Sequence, residues 1–281
     1  MRIAVTHLTS FRYDAPVYLA PHMIRLQPRE DGSQRLLQQQ LSISPTPAGR
    51  AQQLDADGNV ALQVWFDGPT TGLSVESSFS VETLRENPFD FLLPSAAQLE
   101  LPMKYPETLA RALAHYANGS RVDDAVRAYA EARSAEAGRQ AMPFLMNLTE
   151  TLCRDWKHVL RPEGATYAPA VTLELGEGSC RDLAALFSEA CWAVGIAARF
   201  VSGYERAAAV EEHAYMHAWA EVYIPGGGWR AYDPARGVAV STTHVAVAAA
   251  AHPEMAAPIS GVYSGKARAH MQVAISMQVA E

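Results

Sequence analysis

Three residues in the second half of the chain, Cys180, His217 and Asp233, have types and settings suited to nucleophilic chemistry. Cys180 follows Gly176-Glu177-Gly178-Ser179 and opens the run Cys180-Arg181-Asp182-Leu183-Ala184-Ala185-Leu186-Phe187. Ser179 reads as a helix N-cap. Asp182, three residues on, completes an approximate capping box, with Asp in place of the usual Glu or Gln. Leu183, Leu186, Phe187 and Ala190 then recur at helical spacing. Cys180 is therefore the first helical residue, where backbone N–H groups lack intrahelical partners and the helix dipole favours a negative charge. A thiolate is such a charge, so this position lowers the pKa of the thiol. The glycines flanking Glu177 leave room for a substrate to approach.

The base that a thiol needs lies further along. His217-Ala218-Trp219-Ala220-Glu221-Val222-Tyr223-Ile224 alternates as a strand, with His217, Trp219, Glu221 and Tyr223 on one face and Ala218, Ala220, Val222 and Ile224 facing a core. Pro225-Gly226-Gly227-Gly228 turns the chain, and Trp229-Arg230-Ala231-Tyr232-Asp233-Pro234 returns. If Tyr223 pairs with Trp229, Trp219 opposes Asp233, and His217 is the diagonal neighbour of Asp233 on the same face. A slip of one residue would send Asp233 to the other face. In such a set His217 takes the thiol proton or holds the thiolate as an ion pair, and Asp233 fixes the imidazole tautomer. The Cys180 N–H is available as an oxyanion donor. His213 shares the His217 face if the strand extends that far, and Glu221 could join it. No further ligands stand at familiar metal-site spacing, so no metal or other cofactor is expected.

These residues need elements to hold them. Residues 1–85 read as β: Val60–Phe66 and Leu73–Val81 alternate, and Asp55-Ala56-Asp57-Gly58-Asn59 is turn chemistry between such runs. His7 and His22 stand isolated there and read as surface or packing residues. Residues 86–106 carry Pro88, Pro94, Pro102 and Pro106 and read as a crossing linker. Helical patterns follow, through Leu109, Leu113, Val122, Val126 and Tyr129, and then through Phe144, Leu145, Leu148 and Leu152. Trp156 and Tyr167 could wall a cleft or fill the core. Gly195 ends the cysteine helix, Ala198–Tyr204 reads as a strand, and Arg206–Glu212 reads as a polar loop. A helix–strand core over 107–265 and a C-terminal strand over 266–281 complete the division, the last strand joining a sheet, that of the first domain being the candidate.

Bulk properties narrow the function. A net charge of −7 argues against a nucleic-acid or anionic-membrane binder. The first residues lack the apolar run of a signal peptide, and no stretch reaches transmembrane length. The three cysteines, Cys153, Cys180 and Cys191, form no disulfide framework, which points to a reducing, cytoplasmic setting.

Four blocks carry a resemblance: Gly178-Ser179-Cys180-Arg181-Asp182, Ala198-Arg199-Phe200-Val201-Ser202-Gly203-Tyr204, His217-Ala218-Trp219-Ala220-Glu221, and Trp229-Arg230-Ala231-Tyr232-Asp233-Pro234. In this order they resemble the transglutaminase-like superfamily, also called transglutaminase-like cysteine proteases. Tyr13, Arg25-Leu26-Gln27-Pro28 and Asp57-Gly58-Asn59 resemble the β-rich domain that precedes this core in bacterial members. The resemblance implies an α+β chain: an N-terminal antiparallel β-sandwich-like domain, then a papain-like core whose cysteine helix packs on an antiparallel sheet carrying the histidine and aspartate. It implies acyl transfer through a thioester, without a metal. The substrate would be a peptide or protein amide, with water or a small amine as acceptor. Many bacterial relatives have a Gly-Arg-Asp-Tyr segment after the aspartate strand. Residues 244–253 lack it, so the wall built there differs. A catalytically silent scaffold that keeps the fold, and transfer from a small thioester donor as in arylamine acetyltransferases, are the competing readings.

Overall fold

The computed structural model describes residues 1–93, 99–161, 164–206 and 215–280. The N-terminal half contributes six strands, β1 (Arg2–Leu19), β2 (His22–Ile24), β3 (Gln34–Ser44), β4 (Gly49–Leu54), β5 (Val60–Trp65) and β6 (Pro69–Thr83). Helices α1 (Glu107–Leu113), α2 (Asp124–Glu136) and α3 (Ala141–Asp155) come next, then β7 (Lys157–His158), α4 (Pro169–Leu175), β8 (Glu177–Gly178) and α5 (Cys180–Ala193). Strands β9 (Ala198–Glu205), β10 (His217–Ile224), β11 (Gly228–Asp233), β12 (Val238–Ala239) and β13 (His244–Ala250) follow. The chain ends in β14 (Ile259–Ser260), β15 (Tyr263–Ser264) and β16 (Ala269–Ala280).

The N-terminal domain is an antiparallel sandwich. One sheet runs β15-β1-β6-β3, with β16 on the outer side of β1, and the other runs β14-β2-β5-β4. Val17, Leu19, Ile24, Leu26, Val64, Leu73 and Val75 pack between them, the inward set that period-two alternation requires. Strand β16 pairs with β1 from Arg2↔Ala280 to Tyr13↔Ala269, so the end of the chain lies in the first domain's sheet. The return begins earlier than the expected boundary at 265/266, because β14 already pairs with β2 and β15 with β1.

The second domain sets α5 against an antiparallel sheet ordered β12-β11-β10-β9-β13. Phe144, Leu145, Leu148 and Leu152 of α3 pack on Leu186, Phe187 and Ala190 of α5 and on Ala220, Val222 and Ile224 of β10. The expected linker over 86–106 is also part of this core: Leu99, Leu101 and Met103 are buried in it. Pro94 lies outside the described residues. The alternation of β10 marks two buried faces rather than one. Trp219 packs with Val201, Ala231, Val240, Ala246 and Ala249, while Ala218 packs with Ala184, Phe200, Ala248 and Ala250 under α5. Ala248 and Ala250 of β13 thus fill a narrow space between helix and sheet, where larger side chains would overpack.

Strand β13 is the sheet edge, and the N-terminal domain closes it with side-chain amides. Asn59 Nδ2 donates to Ala249 O at 2.9 Å and Asn59 Oδ1 accepts from Ala249 N at 2.8 Å. Gln34 repeats the pattern on Ala246, at 2.8 and 2.9 Å. A bulge between Ala246 and Ala248 lets positions 246 and 249 present their polar groups to the same side. The edge is thereby satisfied without a further strand. His7 is buried at the same seam, where Nδ1 pairs with the Tyr204 hydroxyl at 2.6 Å and Nε2 with Thr9 Oγ1 at 2.7 Å. Burial lowers its pKa to about 4, so it packs as a neutral ring. His22 is buried as well, its Nδ1 on Ala20 O at 2.7 Å.

Asn59→Ala strands the N–H and C=O of Ala249 in a dry seam. The expected loss is about 1–3 kcal/mol of stability, read as a lower urea-unfolding midpoint, with Asn59→Asp a second variant that keeps the acceptor but loses the donor.

Candidate functional site

The site lies where the N-terminus of α5 meets the start of β10 and the end of β11. The capping box at Ser179 forms. Asp182 Oδ2 accepts from Ser179 N at 2.8 Å and from the Ser179 hydroxyl at 2.7 Å. The same buried carboxylate accepts from Arg161 Nη1 at 2.6 Å and, through Oδ1, from Tyr167 N at 2.7 Å. Burial alone would raise the Asp182 pKa; the Ser179, Tyr167 and Arg161 hydrogen bonds hold it below the usual carboxylate value. Asp182 therefore caps the helix and ties down the strap ahead of α4 in one act. Tyr167 lies under the Arg161 guanidinium, 3.5 Å from carbon to ring centroid. Trp156 faces inward, its indole N–H on Thr172 O at 3.0 Å.

Cys180 is the first residue of α5 and is part-buried, whereas Cys191 is fully buried and Cys153 exposed. Three groups hydrogen-bond the Cys180 sulfur: the side chains of His158 and His217 and the backbone N–H of Ala218. Burial opposes ionisation, but these donors and the positive charge of His217 outweigh it and bring the thiol down to about 6. Cys191 has no such neighbours, and burial drives its pKa well above the ordinary thiol value.

The hairpin register places Tyr223 opposite Trp229 and runs to Ala220 opposite Tyr232, the pair next to Trp219 and Asp233. His217 Nε2 meets Asp233 Oδ2 at 2.6 Å, and that engagement leaves Nδ1 for the sulfur. Burial would lower the His217 pKa; the hydrogen bonds and charges of Asp233 and Cys180 prevail and raise it to about 10. Asp233 is fully buried. Its Oδ1 accepts from Ala235 N at 2.9 Å and Arg236 N at 3.2 Å, an Asx turn that stops β11 at Pro234. Against the cost of burial, His217 and His244 hold this carboxyl well below the usual range.

Besides His158, two groups at the site carried no signal in the sequence reading. His244 Nε2 sits 2.9 Å from Asp233 Oδ2, and its Nδ1 sits 2.9 Å from Thr243 Oγ1. The aspartate is thus held by two imidazoles, and His244 also meets the Trp219 ring edge-on at 5.0 Å. Glu205 Oε2 stands 3.7 Å from His217 Nε2 and accepts from Arg236 Nε at 2.7 Å. His244 opens an apolar run, and Glu205 closes one. Neither has a local pattern, since each acts through a strand pairing distant in sequence. The departure expected at 244–253 therefore has a definite form: His244–Ala250 is a strand whose first residue braces Asp233.

Of the His213 and Glu221 pair considered for a metal, only Glu221 lies among the described residues. Glu221 is committed to Arg199, whose Nε donates to it at 2.7 Å and whose guanidinium lies 4.1 Å from the Trp229 ring. His213 lies outside the described residues. Among the described residues, His217, Asp233 and His244 bring ligand atoms within 4.8 Å of one another, but all three are satisfied by one another and by the sulfur.

Comparison with known proteins gives the family and the fold. Residues 3–82 match the bacterial transglutaminase-like N-terminal region, and residues 127–234 match the profile of the transglutaminase-like superfamily. This chain belongs to the transglutaminase-like superfamily. An uncharacterised Mycobacterium tuberculosis protein is 29% identical over 264 residues, covering 88% of this chain and 82% of that one. An uncharacterised Mycobacterium leprae protein is 26% identical over 296 residues, covering 98% of each. A solved structure from Cytophaga hutchinsonii, described as a candidate cysteine protease, superposes with a TM-score of 0.71 over 100% of this chain and 92% of its own. At 18% identity it establishes the shared fold, both domains included. Among the described residues, no helix is long and apolar enough to cross a membrane.

The transglutaminase-like site makes a direct prediction about its sulfur. Thiolate absorbance or the pH dependence of alkylation should give Cys180 a pKa near about 6. His217→Gln removes the cation beside the sulfur and should return the thiol toward the ordinary value of about 8.5. Cys153→Ala should leave the titration unchanged.

Proposed function

We propose that this chain is a thiol-dependent acyl-transfer enzyme acting on peptide or protein amides, with Cys180 as nucleophile, His217 as acid and base, and Asp233 as the group that holds His217. The observation that supports it is the set around one sulfur: a part-buried thiol at a helix start, acidified by His217, whose ring is fixed by Asp233 at 2.6 Å.

The steps follow from the protonation states. At neutral pH the sulfur is a thiolate and His217 an imidazolium. The thiolate attacks the amide carbon, forming the S–C bond while the C=O π pair moves onto oxygen. The N–H of Cys180 and the α5 dipole face that charge. Collapse breaks the C–N bond, and His217 gives its proton to the departing amine, leaving a thioester. His217, now neutral, takes a proton from water or from a second amine as that group attacks the thioester. The S–C bond breaks and the ion pair is restored.

Water as acceptor makes the enzyme a peptidase or amidase; an amine makes it a transglutaminase. We favour hydrolysis, because the sequence carries no dedicated signature for an amine acceptor. A peptide library run with and without a labelled amine, comparing wild type with Cys180→Ala, tests both outcomes. Turnover and labelling by a thiol-directed electrophile should vanish together in Cys180→Ala and survive in Cys153→Ala and Cys191→Ala. Equal labelling of all three thiols would defeat the reading.

The pH profile has a worked sign. Below about 6 the thiol holds its proton and the nucleophile is lost; above about 10 His217 loses the proton it must donate. A plot of kcat/KM against pH should rise through the first value and fall through the second. Asp233→Asn removes the carboxylate that sustains the imidazolium, so the alkaline limb should move down.

A further inference from the structure

His158 is an imidazole at the sulfur to which the Cys180–His217–Asp233 set gives no task. It belongs to β7, a two-residue strand paired in parallel with β8, His158 abreast of Gly178 and Lys157 abreast of Glu177. Lys157 N on Gly176 O and Val159 N on Gly178 O, each at 3.0 Å, clamp this short ladder to the loop that leads into Cys180. The loop has little freedom. A Cβ on Gly178 would meet Asp182 Cβ at 2.9 Å and Thr172 Cγ2 at 3.2 Å, so the backbone lies hard against the helix cap. His158 is consequently held beside the helix start by backbone pairing, its side chain exposed and hydrogen-bonded to the Cys180 sulfur.

The two imidazoles at the sulfur differ in what stands behind them. His217 has Asp233 at 2.6 Å and Glu205 at 3.7 Å, the support a cation needs. Among the described residues, no carboxylate makes an ion pair with His158. Lys157 takes the nearby Glu177, at 3.2 Å. A ring with carboxylates behind it suits proton transfer, whereas a ring without them suits donation of a fixed N–H.

We propose that His158 is the second oxyanion donor of the site, acting with the backbone N–H of Cys180. This rests on the acyl-transfer reading above. In the resting enzyme the His158 N–H has the thiolate to donate to. When the S–C bond forms, the sulfur gives up its charge and the carbonyl π pair becomes an alkoxide on the next atom but one. The donor follows the charge from sulfur to oxygen with a small movement of its ring. As the tetrahedral adduct collapses, the C=O re-forms, the leaving group departs with its bonding pair, and the N–H is released.

Two reactions of the same sulfur separate this role from simple stabilisation of the thiolate. Acylation by p-nitrophenyl acetate passes through an oxyanion and needs no proton for its leaving group. Alkylation by iodoacetamide displaces iodide and passes through none. In His158→Ala the acylation burst should slow by roughly 10²–10³-fold, the range for loss of one oxyanion donor. Alkylation, which follows the thiolate fraction, should change by less than about tenfold. His158→Gln, which restores an N–H donor, should recover much of the acylation rate. The residue is exposed, and circular dichroism of each variant verifies the fold. Equal losses in the two reactions would overturn the proposal and leave His158 a ground-state partner of the thiolate; unchanged acylation would overturn it as well. A wild-type protein that alkylates at Cys180 yet forms no acyl-enzyme would instead overturn the acyl-transfer reading, and this role with it.

Discussion

A negative sulfur beside a positive imidazole, in a site half closed to water, is the constraint to which the surrounding structure answers. Taking either charge out of water is costly unless the other and a set of hydrogen bonds come with it. Each element near the site supplies part of that compensation. The start of α5 offers its dipole, Ala218 its N–H, and β11 the buried carboxylate of Asp233. Asp233 in turn must stay ionised without solvent, and four donors achieve it: two imidazoles and the two backbone N–H groups of the turn after β11. Removing any one leaves a buried charge less than fully matched.

That chain of dependence reaches the N-terminal domain. His244, which braces Asp233, is the first residue of β13, and β13 is the sheet edge that Asn59 and Gln34 close with their side-chain amides. The turn Asp57-Gly58-Asn59 thus does more than reverse a hairpin; it supplies the missing hydrogen-bonding partner of a strand in the other domain. The last strands of the chain return to the first domain's sheets, so both domains are closed by segments far apart in sequence. A chain built this way ties the geometry of its candidate site to the seam between domains. The transglutaminase-like core and its bacterial N-terminal region read most simply as one unit.

Much of this was legible beforehand where the determining interactions are local. The capping residues Ser179 and Asp182, the apolar spacing after them, and Gly195 mark α5 almost to the residue. The alternation from His217 to Ile224 and the Pro-Gly run after it mark the hairpin, and arithmetic on its register brings Asp233 to His217. The reading stopped where the pattern was ambiguous. Alternation on β10 looks the same whether one face is wet or both are covered, and here Glu221 lies inside, matched to Arg199. Proline spacing over 86–106 spoke of a connection and said nothing of Leu99, Leu101 and Met103 entering the core.

What the amino-acid order determined by itself was the trio of side chains that meets at the candidate site, because Cys180, His217 and Asp233 each sit at a helix start, a strand start or a strand end that short-range rules can mark. What only the tertiary structure decided was everything that reaches the site across long loops: His158 through a two-residue parallel ladder, His244 through the edge strand, Glu205 through the end of β9. The physical reason is the same for all three. A single side chain carried by a strand has no periodicity of its own to announce it, and its role exists only once backbone pairing between distant segments has set it beside the sulfur or the carboxylate.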